Sequence, residues 1–277
     1  PPVRAGWRPI RKLLAANRGE IAIRICRAAT ELNIKTVAVY SKEDFGSLHR
    51  YKADESFQIG AGKSPVGAYL SAEEIVELAK QHNVDAIHPG YGFLSENTKF
   101  VKLCEEAGIA FVGPPSGVIA RFGDKTEARQ LAIEYDVPIV PGTETSVSTA
   151  AEARTFCDSI GYPVICKAAF GGGGRGMRIV RSEGELEANF NEASNEALKA
   201  FGDGSMFIER YVESPRHVEI QILSDGTDTV HLFERDCSVQ RRHQKIVEVA
   251  PAVGLPADLT RALYDDVLER NLATLGP

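Results

Sequence analysis

The chain contains 277 residues, of which 43% are hydrophobic and 25% are charged, the composition of an ordinary soluble globular protein with about two domains. Its 32 basic and 38 acidic side chains give a net charge of −6, so the overall field repels nucleic acid and an anion site has to be built from clustered cations. No apolar stretch is long enough for a membrane span or a signal peptide, which excludes membrane-spanning functions.

The first third of the sequence alternates short apolar strands with amphipathic helices. Strands are predicted at residues 12–16, 36–40, 86–88 and 110–112, and helices at 20–32 and 72–81. Alternation of this kind predicts an α/β fold in which helices wrap a parallel sheet. Ser71 and Glu74 have the spacing of a capping box at the start of the second helix.

Two glycine-containing turns follow predicted strands in this region. They are Asn17-Arg18-Gly19 and the segment from His88 to Gly92. Each turn could aim a helix N-terminus or backbone N–H groups at an anion. Glycines also simply end strands, so both interpretations stay open for these two turns.

A second domain is predicted to begin after Pro138, where prolines and a Thr/Ser-rich stretch interrupt the pattern. Helix-like runs at residues 150–159 and 183–200 then flank a glycine-rich hairpin and together predict a small α+β lid. An apolar strand at 205–212 follows. It contains Glu209 and ends in a turn, so it can act as a hinge that binds the edge of an adenine through backbone groups.

The glycine-rich segment lies between two strand-like runs. Gly171, Gly173 and Gly176 formally match the dinucleotide pattern G-x-G-x-x-G, but Met-Arg-Ile-Val follows where that pattern requires a helix. No Gly-Lys-Ser/Thr ends the loop, so a Walker-type loop is excluded. A phosphate-covering β-hairpin flap remains, with Lys167 before the loop and Arg175 inside it. The alternative is a plain flexible hairpin.

Polar residues concentrate in the last third of the chain. In residues 217–221 polar and apolar side chains alternate, which places His217, Glu219 and Gln221 on one face of a predicted strand. A half-exposed edge strand would show the same alternation. The cationic run at 235–245 alternates again at Arg241, His243 and Lys245, which favours an anion pocket over a solvated surface.

Five motifs in the same order resemble the biotin carboxylase component of biotin-dependent carboxylases, which are ATP-grasp enzymes. The motifs are residues 16–22, 88–96, the loop after Lys167, 215–219 and 234–245, and the resemblance spans about residues 11–251. Within this family, residues 47–55 and 167–170 look most like the pyruvate carboxylases. The acetyl-CoA, propionyl-CoA and methylcrotonyl-CoA carboxylases share the core motifs and remain the alternative.

The resemblance implies three regions. A Rossmann-like, pre-ATP-grasp domain with a parallel sheet would occupy residues 1–122. A linker helix and the ATP-grasp lid with its glycine-rich loop would occupy 123–211, and the start of the ATP-grasp C-terminal lobe would occupy 212–277.

The resemblance also implies a reaction and its residues. MgATP would phosphorylate bicarbonate to carboxyphosphate, which would release CO2 to biotin, so ATP, Mg2+ and biotin are the expected cofactors. Lys245 would hold bicarbonate and act in catalysis, while Glu219 and Arg242 would orient that pocket. The ATP-binding residues would be Lys125, Lys167, Gly172, Gly173, Gly174, Glu209, Arg210, Tyr211, Val212, His217, Gln240 and His243.

The sequence departs from the family pattern at its end. In the family, two carboxylates for Mg2+ and the segment with the proposed base follow a further helix, whereas this chain stops at Pro277. We therefore expect a portion of a longer enzyme, with no metal ligands in this chain and little turnover. The expected partners are bicarbonate, a biotinylated carrier domain and a carboxyltransferase domain, with neither nucleic acid nor membrane, and the full-length enzyme is expected to be a homo-oligomer.

Three other functions are the alternatives to this interpretation. They are a non-catalytic nucleotide-binding module, an oxidoreductase that uses the formal G-x-G-x-x-G, and a different ATP-grasp ligase that acts on an amino acid or a carbamate. The segment around Lys245 favours a bicarbonate-binding enzyme over the last of these. Five cysteines without a C-x-x-C pair indicate a reducing compartment, so a cytoplasmic location is predicted, with the mitochondrial matrix as the alternative.

Overall fold

A computed structural model describes residues 8–123, 127–169, 176–224, 228–241 and 244–267, together with the backbone of residues 125–126 and 268–274. The chain forms two compact units, Pro1–Gly123 and Asp124–Pro277. The expected further division of the second unit at residue 211 stays a prediction.

The first unit is built around a five-stranded parallel sheet with strand order β3-β2-β1-β4-β5. Its strands are Lys12–Ala15 (β1), Lys35–Tyr40 (β2), Glu55–Gln58 (β3), Ala86–His88 (β4) and Ala110–Phe111 (β5). Its helices are Gly19–Glu31 (α1), Leu48–Tyr51 (α2), Pro65–Tyr69 (α3), Ala72–Gln81 (α4), Thr98–Glu106 (α5) and Ser116–Gly123 (α6), with a 3₁₀ turn at Lys42–Asp44. The predicted α/β fold with a parallel sheet is confirmed, although the sequence reading missed β3.

Strand β1 shows why helices cover both faces of this sheet. Leu14 packs into the larger buried cluster, which includes Ile75 of α4 and Phe100 of α5. The adjacent Leu13 points to the opposite face, where it packs with Ile25 of α1. Strands buried on both faces are typical of parallel sheets, and the alternation of side chains along β1 divides the core into these two layers.

The predicted capping box at the start of α4 is wrong. Ser71 occupies the N-cap position, but its hydroxyl donates to the carbonyl oxygen of Gly67 (3.0 Å) and accepts from Lys63 Nζ (2.5 Å). Glu74 instead accepts a hydrogen bond from the backbone N–H of Gly60 (2.9 Å). Both side chains therefore bind groups outside α4, because α3 and the turn before it, which contains Gly60 and Lys63, supply competing partners.

The second unit contains two antiparallel three-stranded sheets, β7-β6-β8 and β11-β10-β9. Its elements are Lys125–Glu134 (α7), Ala150–Ile160 (α8), Val164–Ala168 (β6), Met177–Val180 (β7), Glu183–Phe201 (α9), Met206–Arg210 (β8), Val218–Ser224 (β9), Thr229–Arg241 (β10), Gln244–Val249 (β11) and Ala257–Thr274 (α10). Strands β6 and β7 form the predicted hairpin. The loop between them, with Gly172, Gly173, Gly174 and Arg175, lies outside the described residues.

The first of these sheets packs against α8 and α9. Val164, Cys166 and Ala168 of β6 alternate toward the buried face, where they meet a cluster that includes Leu186 and Phe190 of α9. The other side chains of β6 therefore point away from the helices. The position of Lys167 follows from this alternation.

The chain reverses its direction between β10 and β11, within the cationic run at residues 235–245. β10 ends at Arg241 and β11 begins at Gln244, so the alternation predicted from Arg241 through His243 to Lys245 is not that of one strand. His243 and Arg242 lie outside the described residues. Gln240 pairs with Lys245 across the two strands instead. In the described part of the chain, no helix is both long and apolar enough to cross a membrane.

Candidate functional site

One candidate cation lies on the open face of the sheet β7-β6-β8. In the register of β6 and β8, Ile165 faces Glu209 and Lys167 faces Phe207, which makes Lys167 and Glu209 diagonal neighbours on the same face. Lys167 Nζ donates to Glu209 Oε2 at 2.5 Å. The side chains are 38% and 26% exposed, so solvent and ligands can reach this ion pair.

The two backbone N–H groups that follow Glu209 already form hydrogen bonds within the protein. Arg210 N–H donates to the carbonyl of Pro141 (2.8 Å), and Tyr211 N–H donates to the carbonyl of Pro163 (2.9 Å). These two N–H groups are therefore not available to an adenine ring while the bonds persist. Any recognition of adenine by this hinge has to use its carbonyl groups or the next residue, Val212.

A second group of polar side chains is centred on Glu219 in β9. Glu219 Oε1 accepts from Lys245 Nζ and from His217 Nε2 (3.0 Å), while its Oε2 accepts from Arg235 Nη2 (3.0 Å). Arg235 Nη1 also donates to Gln221 Oε1 (3.0 Å). The predicted convergence of His217, Glu219 and Gln221 on one face is confirmed, since all three belong to this Glu219 cluster.

Gln240 fixes the orientation of the His217 ring in the Glu219 cluster. Its Nε2 donates to His217 Nδ1 (2.9 Å) and to the carbonyl of Cys237 (3.0 Å). Because Nδ1 accepts a hydrogen bond, the network assigns the proton of the neutral ring to Nε2, which donates to Glu219. His217 and Gln240, two of the predicted nucleotide contacts, are therefore adjacent to each other and to Lys245.

The electrostatics of the cluster follow from its two basic side chains. The hydrogen bond from Lys245, helped by the charge of Lys245 and the hydrogen bond from Arg235, lowers the pKa of Glu219 to about 2 although partial burial opposes this. Glu219 is thus ionised at neutral pH. Arg235 also pairs with Glu248 at 3.6 Å, so the two cations Lys245 and Arg235 are balanced by two carboxylates.

Arg216, Asp236 and Ser238 form a hydrogen-bonded group, which we call the brace, beside the Glu219 cluster. The sequence analysis did not predict it. Asp236 accepts from Arg216 Nη2 (2.6 Å) and from Ser238, both its N–H (2.9 Å) and its hydroxyl (2.5 Å). Ser238 Oγ in turn accepts from the backbone N–H of His217 (2.9 Å). These bonds lower the pKa of Asp236 to about 2. The brace joins the entry of β9 to β10, and no local motif in the sequence indicates it.

The two glycine turns of the first unit are held together by a buried asparagine. Asn17 is 3% exposed, and its Nδ2 donates to the carbonyls of Pro89 and Tyr91, both at 2.8 Å. Arg18 binds Asp44 through two hydrogen bonds, of 2.7 and 2.5 Å. The turns lie at the carboxyl ends of β1 and β4, where the strand order reverses and open α/β sheets bind ligands.

Several expected site residues stay predictions. The side chain of Lys125, the glycines 172–174 and His243 lie outside what the structure describes. Among the described residues, no group of three or more His, Cys, Asp or Glu side chains could hold a metal ion. No Mg2+ ligand is therefore assigned.

Two family comparisons agree with this geometry. Residues 9–119 match the family described as biotin carboxylase, N-terminal domain, and residues 124–271 match carbamoyl-phosphate synthase L chain, ATP binding domain. The second match covers more than half of the chain, so the chain belongs to the family of carbamoyl-phosphate synthase L chain ATP-binding domains. Together the two matches give a biotin carboxylase N-terminal domain followed by an ATP-binding domain, which confirms the resemblance inferred from the motifs.

Among individual proteins, the chain is similar to pyruvate carboxylases. It is 54% identical to the human mitochondrial pyruvate carboxylase over 264 residues, which are 95% of this chain and 22% of that protein. The Bacillus subtilis pyruvate carboxylase is 56% identical over 251 residues, 90% of this chain and again 22% of the relative. The chain thus spans about a fifth of the length of these relatives.

A solved structure supports the fold. The biotin carboxylase domain dimer of Hydrogenobacter thermophilus 2-oxoglutarate carboxylase, in complex with MgADP, ADP and bicarbonate, superposes with a TM-score of 0.86 at 46% identity. The match covers 96% of this chain and 59% of that one. The predicted fold, a parallel-sheet N-terminal domain followed by ATP-grasp elements, is confirmed.

Proposed function

We propose that this chain provides the nucleotide and bicarbonate sites of a biotin carboxylase, which uses MgATP to activate bicarbonate and carboxylates biotin, within an enzyme of the pyruvate carboxylase type. The observation that carries the proposal is the Glu219 cluster. It brings Lys245, His217 and Gln240 together on the face of one antiparallel sheet. Family motifs alone would leave these residues scattered along the sequence.

In this proposal, the ion pair between Lys167 and Glu209 breaks, and Lys167 binds ATP phosphates instead. Lys125 and the glycines 172, 173 and 174 complete the phosphate site. The segment from Glu209 through Arg210 and Tyr211 to Val212 lines the adenine, with the hydrogen-bonding limits described above. The bound nucleotide supplies the phosphoryl group that activates bicarbonate, and positioned cations offset the charge that develops.

Lys245 holds bicarbonate in the proposed site, and the Glu219 cluster orients it. His217 and Gln240 contact the nucleotide beside it, together with His243. Because Gln240 faces Lys245 in the β10–β11 register, the nucleotide-facing and bicarbonate-facing groups are neighbours. This adjacency suits a reaction in which bicarbonate attacks a phosphate, since the two reactants have to be held next to each other.

The first test is ATP binding by the 277-residue chain, measured by titration calorimetry in the presence of Mg2+. Lys167→Met is expected to weaken binding about tenfold, or ~1.4 kcal/mol, because it removes a charged phosphate contact. Lys199→Gln serves as the matched control, since Lys199 lies exposed in the last turn of α9. A wild-type chain that is folded but does not bind ATP would refute the proposal.

The second test is release of ADP with and without bicarbonate and free biotin, in this chain and in any longer gene product that contains it. Bicarbonate-dependent release is expected to disappear in Lys245→Gln, while ATP affinity changes less than about twofold. ATP binding without bicarbonate-dependent release in every form would instead identify a non-catalytic nucleotide-binding module. The sequence-based expectation that the 277-residue chain has little turnover is tested by the same assay.

The remaining assignments belong to the proposed longer enzyme. Pyruvate is the proposed final carboxyl acceptor because the curated relatives compared above are pyruvate carboxylases, with an acyl-CoA as the alternative. A biotinylated carrier domain, a carboxyltransferase domain and a homo-oligomer are the proposed partners. The relatives include a mitochondrial enzyme and bacterial enzymes, so the cytoplasm and the mitochondrial matrix both remain predictions.

A further inference from the structure

Arg129 connects helix α7 to an irregular segment that borders the hinge strand. Its Nη1 and Nη2 each donate to the carbonyl of Val140 (3.2 Å), and Nη2 also donates to the carbonyl of Gly142 (3.0 Å). Its Nε is buried and has no hydrogen-bond partner among the described residues. The guanidinium is thus held by two carbonyls of one segment, an arrangement that suits the fork of an arginine better than the single ammonium of a lysine.

The segment at residues 140–147 pairs with the free edge of β8. Thr143 N–H donates to Ile208 O (2.8 Å), and Val147 and Met206 exchange backbone hydrogen bonds of 2.8 and 2.9 Å. Gly142 forms an isolated bridge with Glu209. The segment therefore acts as an added strand that covers β8 on the side opposite to β6.

Gly142 lies between Arg129 and Glu209 without room for a side chain. A Cβ atom built on Gly142 would lie 2.8 Å from Glu209 Cγ, 3.1 Å from the Ile208 carbonyl oxygen and 3.2 Å from Arg129 Nη2. Glu209 is also the partner of Lys167. A displacement of this segment would therefore reach the candidate nucleotide-binding pair directly.

We infer that Arg129 is a positioning residue for the nucleotide site. It ties α7, which begins at Lys125 one helical turn before Arg129, to the segment that borders β8 and Glu209. This connection fixes the backbone of α7 at Lys125, a phosphate-binding residue in the proposed function, relative to β8, which carries Glu209 of the hinge. This inference rests on the proposed function, because Lys125 and Glu209 are nucleotide contacts only within that proposal.

The test uses Arg129→Met in the full chain, which keeps the apolar stem and removes the hydrogen-bond donors. Hydrogen exchange without nucleotide is expected to accelerate about tenfold at the Thr143 and Val147 amides and to stay unchanged at Cys166 in the strand core. ATP affinity is expected to fall about tenfold, while adenosine, which has no phosphates, binds within about twofold of wild type. Arg154→Met is the control, since Arg154 makes an exposed ion pair with Glu183.

A purely structural role would lower the affinities for ATP and adenosine together, and that outcome overturns the inference. Unchanged exchange at Thr143 and Val147 would also overturn it, because the segment would then not depend on Arg129. A second variant, Gly142→Ala, keeps the arginine but displaces the segment from β8, and is expected to accelerate exchange at Thr143 and Val147 and to lower ATP affinity; normal exchange and affinity in this variant would overturn the link between the segment and the site. If the wild-type chain binds no ATP, the proposed function fails and this role fails with it, whereas normal wild-type binding with unaffected variants refutes the role of Arg129 alone.

Discussion

Replacement of Asp44 should show how strongly the first unit depends on one buried carboxylate. Asp44 is 4% exposed and accepts hydrogen bonds from Arg18, from Tyr69 Oη (2.7 Å) and from Ser47 Oγ (2.9 Å), with Ser41 Oγ at 3.4 Å. These contacts hold the pKa of Asp44 well below its usual range, the hydrogen bond from Arg18 being the largest cause. The carboxylate thus joins the turn after β1 to α3 and the loop after β2.

The expected cost of Asp44→Ala follows from the groups that it would leave behind. Tyr69 and Ser41 are each 1% exposed, and an unpaired buried hydroxyl costs about 1–3 kcal/mol. The Arg18 side chain is 51% exposed and can turn to water, so it adds little. We expect a loss of about 3–5 kcal/mol in the free energy of unfolding, most of it from the two buried hydroxyls that lose their acceptor.

Urea unfolding at several pH values measures this loss. The folded pKa of Asp44 is depressed, so its contribution is complete well above the unfolded-state pKa of about 3.9 and is lost as the pH falls through the folded pKa. The difference between wild type and Asp44→Ala should therefore shrink below about pH 4, by ~1 kcal/mol near pH 3. Glu43→Ala, exposed in the same turn, is the control and should change stability by less than about 0.5 kcal/mol. A difference at neutral pH below ~1 kcal/mol, or one that is constant into acid, would refute the reasoning.

Two further predictions use matched pairs of variants. Gly60→Ala should destabilise the protein by more than about 3 kcal/mol in urea unfolding, because Gly60 has a φ of +70° and a Cβ there would lie 2.2 Å from the Cβ of Ala68. Gly62→Ala is the control: Gly62 has a φ of +77° but open space around it, so this change should cost only ~1 kcal/mol. Equal costs for the two variants would contradict the steric argument. Glu219→Gln should raise the affinity for inorganic phosphate about fivefold in calorimetry, because it frees Lys245 from its carboxylate partner. Glu248→Gln is the control, since it changes the net charge equally but removes a partner of Arg235 and not of Lys245. Equal effects of the two variants on phosphate affinity would mean that only long-range charge matters.

The sequence predicted those features that depend on local periodicity. The succession of short apolar strands and amphipathic helices in the first third of the chain indicated the parallel sheet, and the period of two at His217, Glu219 and Gln221 indicated their common face. In these cases the side-chain pattern and the fold are related by the backbone geometry of a single element. The family resemblance added the order of the motifs along the chain.

Features that depend on pairing between distant segments could not be predicted. The reversal between Arg241 and Gln244 lies in a cationic run with no glycine or proline, so the sequence contains no turn signal that would interrupt the predicted alternation. Arg129 binds a segment 11 and 13 residues further along the chain, and its relevance becomes visible only once that segment borders β8. Ser71 matched a capping pattern, but the neighbouring α3 offered its hydroxyl another partner.

Lys167 and Lys245, the two candidate lysines of the second unit whose side chains the structure describes, have one property in common: a carboxylate already binds each of them. Lys167 is paired with Glu209, and Lys245 is paired with Glu219, whose pKa of about 2 keeps it ionised at neutral pH. Protonation therefore cannot release Lys245 near neutrality, so an anionic ligand has to displace the carboxylate. A weakly held or poorly placed anion will not achieve this exchange. The carboxylates thus make binding selective for a ligand that contacts several cations at once, which is the property expected of a site for a polyphosphate beside bicarbonate.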